Sequence, residues 1–162
     1  MFPPVLGEVT AYNVGQFVHI LAVVIGIGVT YAYPIVLAWV ERFAPQSVPP
    51  VYAALRRVDR LMVTPGLIIV LLAGFCLVSE GEIKVSESWV SLGIVAVLVL
   101  LGMTHGFFRP RWDRGIELAE RDLKAGGELS EEFRSNSRQM AIAGMLMSLL
   151  VIVTIFFMIA KP

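Results

Sequence analysis

Four stretches of this chain carry no aspartate, glutamate, lysine or arginine, and that restricts what the chain can fold into more than any other feature. They run from about Val14 to Val40, from Leu61 to Val78, from Trp89 to Phe108 and from Met140 to Ala160. Each is long enough to cross a bilayer core of roughly 30 Å. Barrel strands alternate over about ten residues, whereas these runs are continuous and about twice that length, so each must satisfy its own backbone as a helix. With 16% charged residues and a mean hydropathy of +0.77, the composition lies outside the soluble range. The expected fold is all-α: one domain over 1–162, an integral membrane bundle of four transmembrane helices.

The charges gather in the connections. Arg42, Arg56, Arg57 and Arg60 lie between the first and second runs, and Arg109, Arg111, Arg114, Arg121, Lys124, Arg134 and Arg138 between the third and fourth. Lys84 stands alone among Glu80, Glu82 and Glu87 in the remaining connection. The positive-inside rule then places both basic connections in the cytoplasm and both termini outside, in a multi-pass protein of the plasma membrane. Trp89 marks an outer boundary, and Trp39 and Trp112 inner ones. The start, MFPPVLGEVT, has no basic residue before its apolar run, which argues against a cleaved signal peptide.

APQSVPP, with three prolines, reads as a stiff non-helical spacer between the first two runs. In the second basic connection, Glu117 with Arg121 and Glu120 with Lys124 have the helical i,i+4 spacing in the favourable order. AGG at 125–127 stops that helix, and Ser130 followed by Glu131 and Glu132 starts the next. The third and fourth helices are thus expected to extend as a charged cytoplasmic hairpin. A single cysteine, Cys76, reads as a small buried apolar residue. The net charge of zero gives no reason to expect nucleic acid.

Two histidines lie at membrane depth. His19 follows closely on the outer start of the first run, while His105 comes late in the third. Metal or haem ligation, proton relay and a neutral hydrogen-bonded role between helices are all open to an imidazole there. At about 1.5 Å per residue the two differ in height by roughly 15 Å. Two axial nitrogens on one iron, each at about 2 Å, must lie close to 4 Å apart, so the two histidines do not share an iron. Gly102 and Gly106 flank His105 in a G-x-x-x-G spacing that lets a helix or a flat macrocycle approach. Ala22 with Gly26, Gly28 with Ala32, and Gly144 with Ser148 are similar small pairs.

The order of features then resembles a known family. An early histidine, a tyrosine and proline late in the first helix, LRRVDRLMVTPGLIIV and WVSLGIVAVLVLLGMTHGFFRPRW together resemble the domain-of-unknown-function 2269 family of predicted integral membrane proteins. More distantly they resemble the bacterial four-helix membrane protoporphyrinogen oxidases, over roughly residues 12 to 124. That second resemblance implies a haem-dependent membrane oxidoreductase with haem b as cofactor. By position it makes His19 the haem-iron ligand and His105 a second candidate. It places Arg56 and Arg57 at the cofactor as a basic pair, with Thr64 and Pro65 as the T-P step of the second helix. The chain departs from the pattern at Ile35, where the oxidases tend to have an arginine, and at Gly93, where a lysine is expected. Both are plausible anchors for porphyrin propionates or catalytic groups.

The leading expectation is a small haem-binding protein with a redox role linked to porphyrin or haem metabolism. The alternative is a non-catalytic membrane subunit or scaffold, packed against a partner protein or a second copy through its small-residue faces. A channel or transporter is disfavoured, because charge-free spans offer no acidic relay and four helices enclose little room.

Overall fold

The computed structural model describes residues 10–161. The reading of the first nine residues therefore lies outside the described part. Four long helices account for nearly all of the rest: α1 (Ala11–Phe43), α2 (Pro45–Glu80), α3 (Ser88–Ala125) and α4 (Glu131–Ala160). No strand occurs among the described residues. Each helix contains an apolar window long enough to cross a membrane, and each runs past it into charged sequence.

Three of the helices are locally rewound just before a proline. π turns span Val23–Ile27, Asp59–Val63 and Thr104–Phe108, and a tighter 3₁₀ stretch follows the first over Gly28–Ala32. Pro34, Pro65 and Pro110 come next in each case. A proline has no N–H for the carbonyl four residues back, and its ring crowds that carbonyl. Rewinding the preceding turn relieves the conflict and rotates the side chains beyond it about the helix axis. The T-P step at Thr64–Pro65 is thus one of three such sites.

Near the end that carries Trp89 and Lys161, α1 lies against α2 and α3 against α4. Gly15, His19, Ala22 and Gly26 form the α1 stripe that meets α2. Gly15 lies under Leu77 and Gly74 under the His19 ring. At Gly26 and Gly66 the two backbones nearly touch, since a methyl carbon built on Gly66 would stand 2.6 Å from Gly26 Cα. On α3, Gly93 is covered by the Met158 methyl of α4. The site where the oxidase pattern expects a lysine is therefore filled by a thioether, while Ile35, in place of the expected arginine, is 74% exposed.

At the opposite, basic end, α2 and α3 pack on each other and on the start of α4. Tyr52 and Phe133 are fully buried, and Trp112 is 2% exposed. Tyr52 meets Trp112 edge-on at 5.1 Å between centroids and Phe133 at 5.6 Å. Gly115 makes room for the Tyr52 ring, which lies 2.7 Å from where a β-carbon would be. Trp112 is therefore a core residue, not the boundary anchor expected of it. The charged ends of α3 and α4, joined through 126–130, pack together with the start of α2 as a layer of three helices.

The proline-rich connection is also more ordered than expected. Only Ala44 separates α1 from α2, and the chain is helical from Pro45. Pro49 and Pro50 lie in the first α-helical turn, where no N–H is needed. At the other turn, Gly126 (φ 151°) and Gly127 (φ 101°) end α3 as anticipated, and the Ser130 hydroxyl accepts the Phe133 N–H at 3.3 Å to cap α4. Arg121 turns to Asp122 (3.0 Å) and to Glu132 (3.1 Å) instead of Glu117. Cys76 is exposed on the outer face of α2, not buried.

Arg114 and then Arg121 hold the Glu132 carboxyl below the usual glutamate range. A group depressed on folding stabilises the folded state above its unfolded pKa, and that contribution is lost as pH falls through the folded value. Glu132→Gln is therefore expected to lower the thermal midpoint slightly at pH 7 and to flatten its decline below the ordinary glutamate range. Both effects should shrink in high salt because the pairs are exposed. Thermal unfolding of both variants across pH 3 to pH 7 checks this.

Candidate functional site

Two cavities meet at the basic end. The larger, about 760 Å³, is a cleft between α2 and α3 lined by Arg56, Arg57, Arg60, Thr64, His105 and Arg109 among others. The second, about 290 Å³, lies inside the bundle and draws its walls from all four helices. Asp59, Thr104 and Trp112 line both.

Both walls of the cleft are made by the rewound turns, since Asp59 opens one and Thr104 and His105 open another. Asp59 is held from two sides: Tyr33 donates its hydroxyl to Oδ1 at 2.9 Å and Trp112 its indole N–H to Oδ2 at 2.7 Å. One carboxylate thus ties α1, α2 and α3 together at the junction of the cavities. Arg56 pairs with Asp113 of α3 at 2.7 Å. Arg57, Arg60 and Arg109 have no carboxylate partner among the described residues. The cleft therefore carries an excess of positive charge at the edge of an apolar bundle, suited to an anionic group on an otherwise apolar molecule.

His105 is exposed, and its Nδ1 donates to the Leu101 carbonyl at 3.0 Å. A carbonyl only accepts, so that bond uses the Nδ1 N–H and leaves Nε2 as the ring nitrogen open to a partner. Gly102 and Gly106 meet nothing within 4 Å, so no helix among the described residues covers them. His19 makes the equivalent bond, from Nδ1 to the Val70 carbonyl at 2.9 Å, but its ring is packed over Gly74 between α1 and α2. Neither cavity touches His19. Its partners on α2, Val70 and Gly74, lie about ten residues beyond Leu61 and Thr64 of the cleft, or some 15 Å along that helix. Three of the four candidate residues, His105, Arg56 and Arg57, therefore share one cleft and the fourth stands apart.

Asp59 is the residue the sequence reading passed over. Its one signal was an acid set among three arginines in RRVDR, next to a charge-free run. No cluster of three or more His, Cys, Asp and Glu side chains suited to a metal ion occurs among the described residues.

Residues 13–162 match the family described as predicted integral membrane protein (DUF2269). The chain belongs to that family. The match takes in all four helices except the first two residues of α1. It agrees with four spans long and apolar enough for a bilayer. No curated protein and no solved structure matches the chain. For this DUF2269 protein the chemistry must be argued from the cleft itself.

Proposed function

We propose that this DUF2269 protein binds an anionic tetrapyrrole, haem b in the first place, in the cleft between α2 and α3, and that it has a redox role linked to haem or porphyrin metabolism. The observation that carries the reading is the convergence of His105, Arg56 and Arg57 on one cavity of about 760 Å³. The donor set fits the group. His105 offers its Nε2, and Arg56, Arg57, Arg60 and Arg109 suit carboxylates. Bound haem would supply one-electron chemistry, for which the protein provides orientation and charge. The distant oxidase resemblance points to the same class of ligand. In this reading His105 is the ligand, and His19 serves to pin α1 to α2.

In this reading the cleft and its basic layer face the cytoplasm across the bacterial inner membrane, with both termini outside. The arginine asymmetry supports this. The alternative is a non-catalytic subunit packed on partner helices or a second copy. It draws on the uncovered Gly102 and Gly106.

The visible spectrum of the detergent-purified protein, as isolated and after dithionite, tests the proposal. A Soret band that shifts on reduction, at close to one haem per chain, is expected. His105→Ala should lose most of it, the Arg56→Gln, Arg57→Gln pair should reduce occupancy, and His19→Ala should retain it. A featureless spectrum after haem supplementation during expression, or a full haem complement in His105→Ala, would overturn the assignment. In the first case, a stable partner in mild-detergent pulldown would support the subunit reading.

A further inference from the structure

The second cavity is walled mainly by apolar side chains, with Leu67, Leu100, Met103, Met147 and Val151 around its deep end. Its inner end is different. Asp59 and Glu41 both face it, and no lysine lines it. The Tyr52 and Ser137 hydroxyls both donate to Glu41 Oε1, each at 2.7 Å. Asp59 accepts one bond on each oxygen and so keeps one lone pair free on each. The cavity is therefore an apolar chamber that ends in an acceptor with spare capacity. A half-buried acceptor in an apolar setting favours a ligand that donates a hydrogen bond.

The chamber has a side opening. α1 and α4 are tied by two hydrogen bonds, from the Tyr31 hydroxyl to the Ser148 carbonyl at 3.3 Å and from the Ser137 hydroxyl to Glu41 at 2.7 Å. Between these ties α1 advances ten residues, about 15 Å of helix. The residues that line the cavity over that stretch include Pro34, Ala38, Ala141 and Gly144, all small or compact. A β-carbon on Gly144 would meet nothing within 4 Å. No other hydrogen bond joins α1 to α4 among the described residues, so this stretch is the window by which a ligand would enter from lipid.

The ligand class follows from the walls. Two carboxylates repel an anionic head, while the arginines beyond Asp59 and Arg138 in the cavity itself oppose an ammonium, which leaves a neutral donor. Tyr31, Tyr33, Phe108 and Trp112, together with Met103 and Met147, favour an aromatic ring through edge and sulfur contacts. The volume, about 290 Å³, admits a ring and a short stem, and a longer tail must leave through the window. We propose that this chamber is a separate site, loaded sideways from the bilayer, for a neutral hydroxylated aromatic compound with an alkyl tail, whose O–H donates to Asp59.

The test uses the full chain in lipid nanodiscs with Trp39→Phe and Trp89→Phe, so that Trp112 alone reports. 4-Octylphenol is expected to give a saturable change in Trp112 fluorescence, about tenfold tighter than octylbenzene, which lacks the donor. Gly144→Phe, whose first carbon would meet nothing within 4 Å and whose ring would occupy the chamber, should abolish the response to both. The Arg56→Gln, Arg57→Gln pair should leave octylphenol binding unchanged, which separates this site from the haem reading. Equal responses to the two probes, or native binding in Gly144→Phe, would overturn the proposal.

Discussion

A leucine at Gly66 is expected to separate α1 from α2 and cost the protein about 3 kcal/mol or more, enough to abolish a monodisperse folded state in mild detergent. Even the first added carbon would stand 2.6 Å from Gly26 Cα and 3.4 Å from both the Ala22 carbonyl oxygen and the Gly26 nitrogen. Carbon atoms rest at about 3.5–4.0 Å, so the helices must move apart by roughly 1 Å before the rest of the side chain is placed. Backbone cannot turn away as a side chain can. Inside a bilayer there is little hydrophobic gain to offset the loss, because lipid is as apolar as the helix surface it would replace. Gly26→Leu should behave alike, since its first carbon would meet Gly66 Cα at 2.8 Å. Gly102→Leu makes the same chemical change in open space and is expected to keep the native midpoint or exceed it slightly. Detergent-titrated unfolding followed by circular dichroism compares the three. A native midpoint in Gly66→Leu would show that the crossing is not held by backbone contact.

That crossing was only half legible in the sequence. Ala22 and Gly26 stood out as a small pair on α1, but Gly66 follows Pro65 and reads as part of the kink. Periodicity marks which face of a helix is small without naming the helix it meets. The four apolar runs, by contrast, follow from the bilayer alone, and all of them fall within the observed helices. The helices overrun those limits because their charged ends have a second, water-type amphipathic pattern that hydropathy averages away. Trp112 shows the cost of reading by position. A tryptophan beside charges at the end of an apolar run looks the same whether it anchors at an interface or plugs a core, and here it is 2% exposed.

The site was legible as a set of residue types and not as a place. Arg56, Arg57 and His105 are conspicuous at the margins of charge-free runs, yet only the packing of α2 on α3 brings them into one cleft. Asp59 was hidden by its neighbours, because one acid among arginines reads as a solvated charge. What distinguishes it is the pair of donors, Tyr33 from twenty-six residues earlier and Trp112 from fifty-three later. No local window contains both. The rewound turns had a sequence signal in each proline, but the side-chain rotation they produce depends on where the kink is absorbed.

Phe133→Ala is expected to destabilise the protein by about 3–5 kcal/mol, measured as a lowered midpoint with haem content per folded chain followed in parallel. On the proposed topology the layer around Phe133 lies in water, so the ordinary hydrophobic effect applies there as it does not between the spans. Phe133 is fully buried against Tyr52, which is itself buried against Trp112. Trp112 in turn holds Asp59. The cavity left by the missing ring therefore opens beside the chain of contacts that fixes both the cleft and the inner chamber. Lipid-facing Phe156→Ala, at a position 64% exposed, removes the same ring from an environment it never left and should be nearly silent. If the two substitutions cost the same, the basic layer is not a water-facing core. If Phe133→Ala alone unfolds the layer while the spans keep their helical signal, the charged ends of α2, α3 and α4 are a small aqueous fold that the membrane bundle positions, and the two proposed binding sites lie at the seam between them.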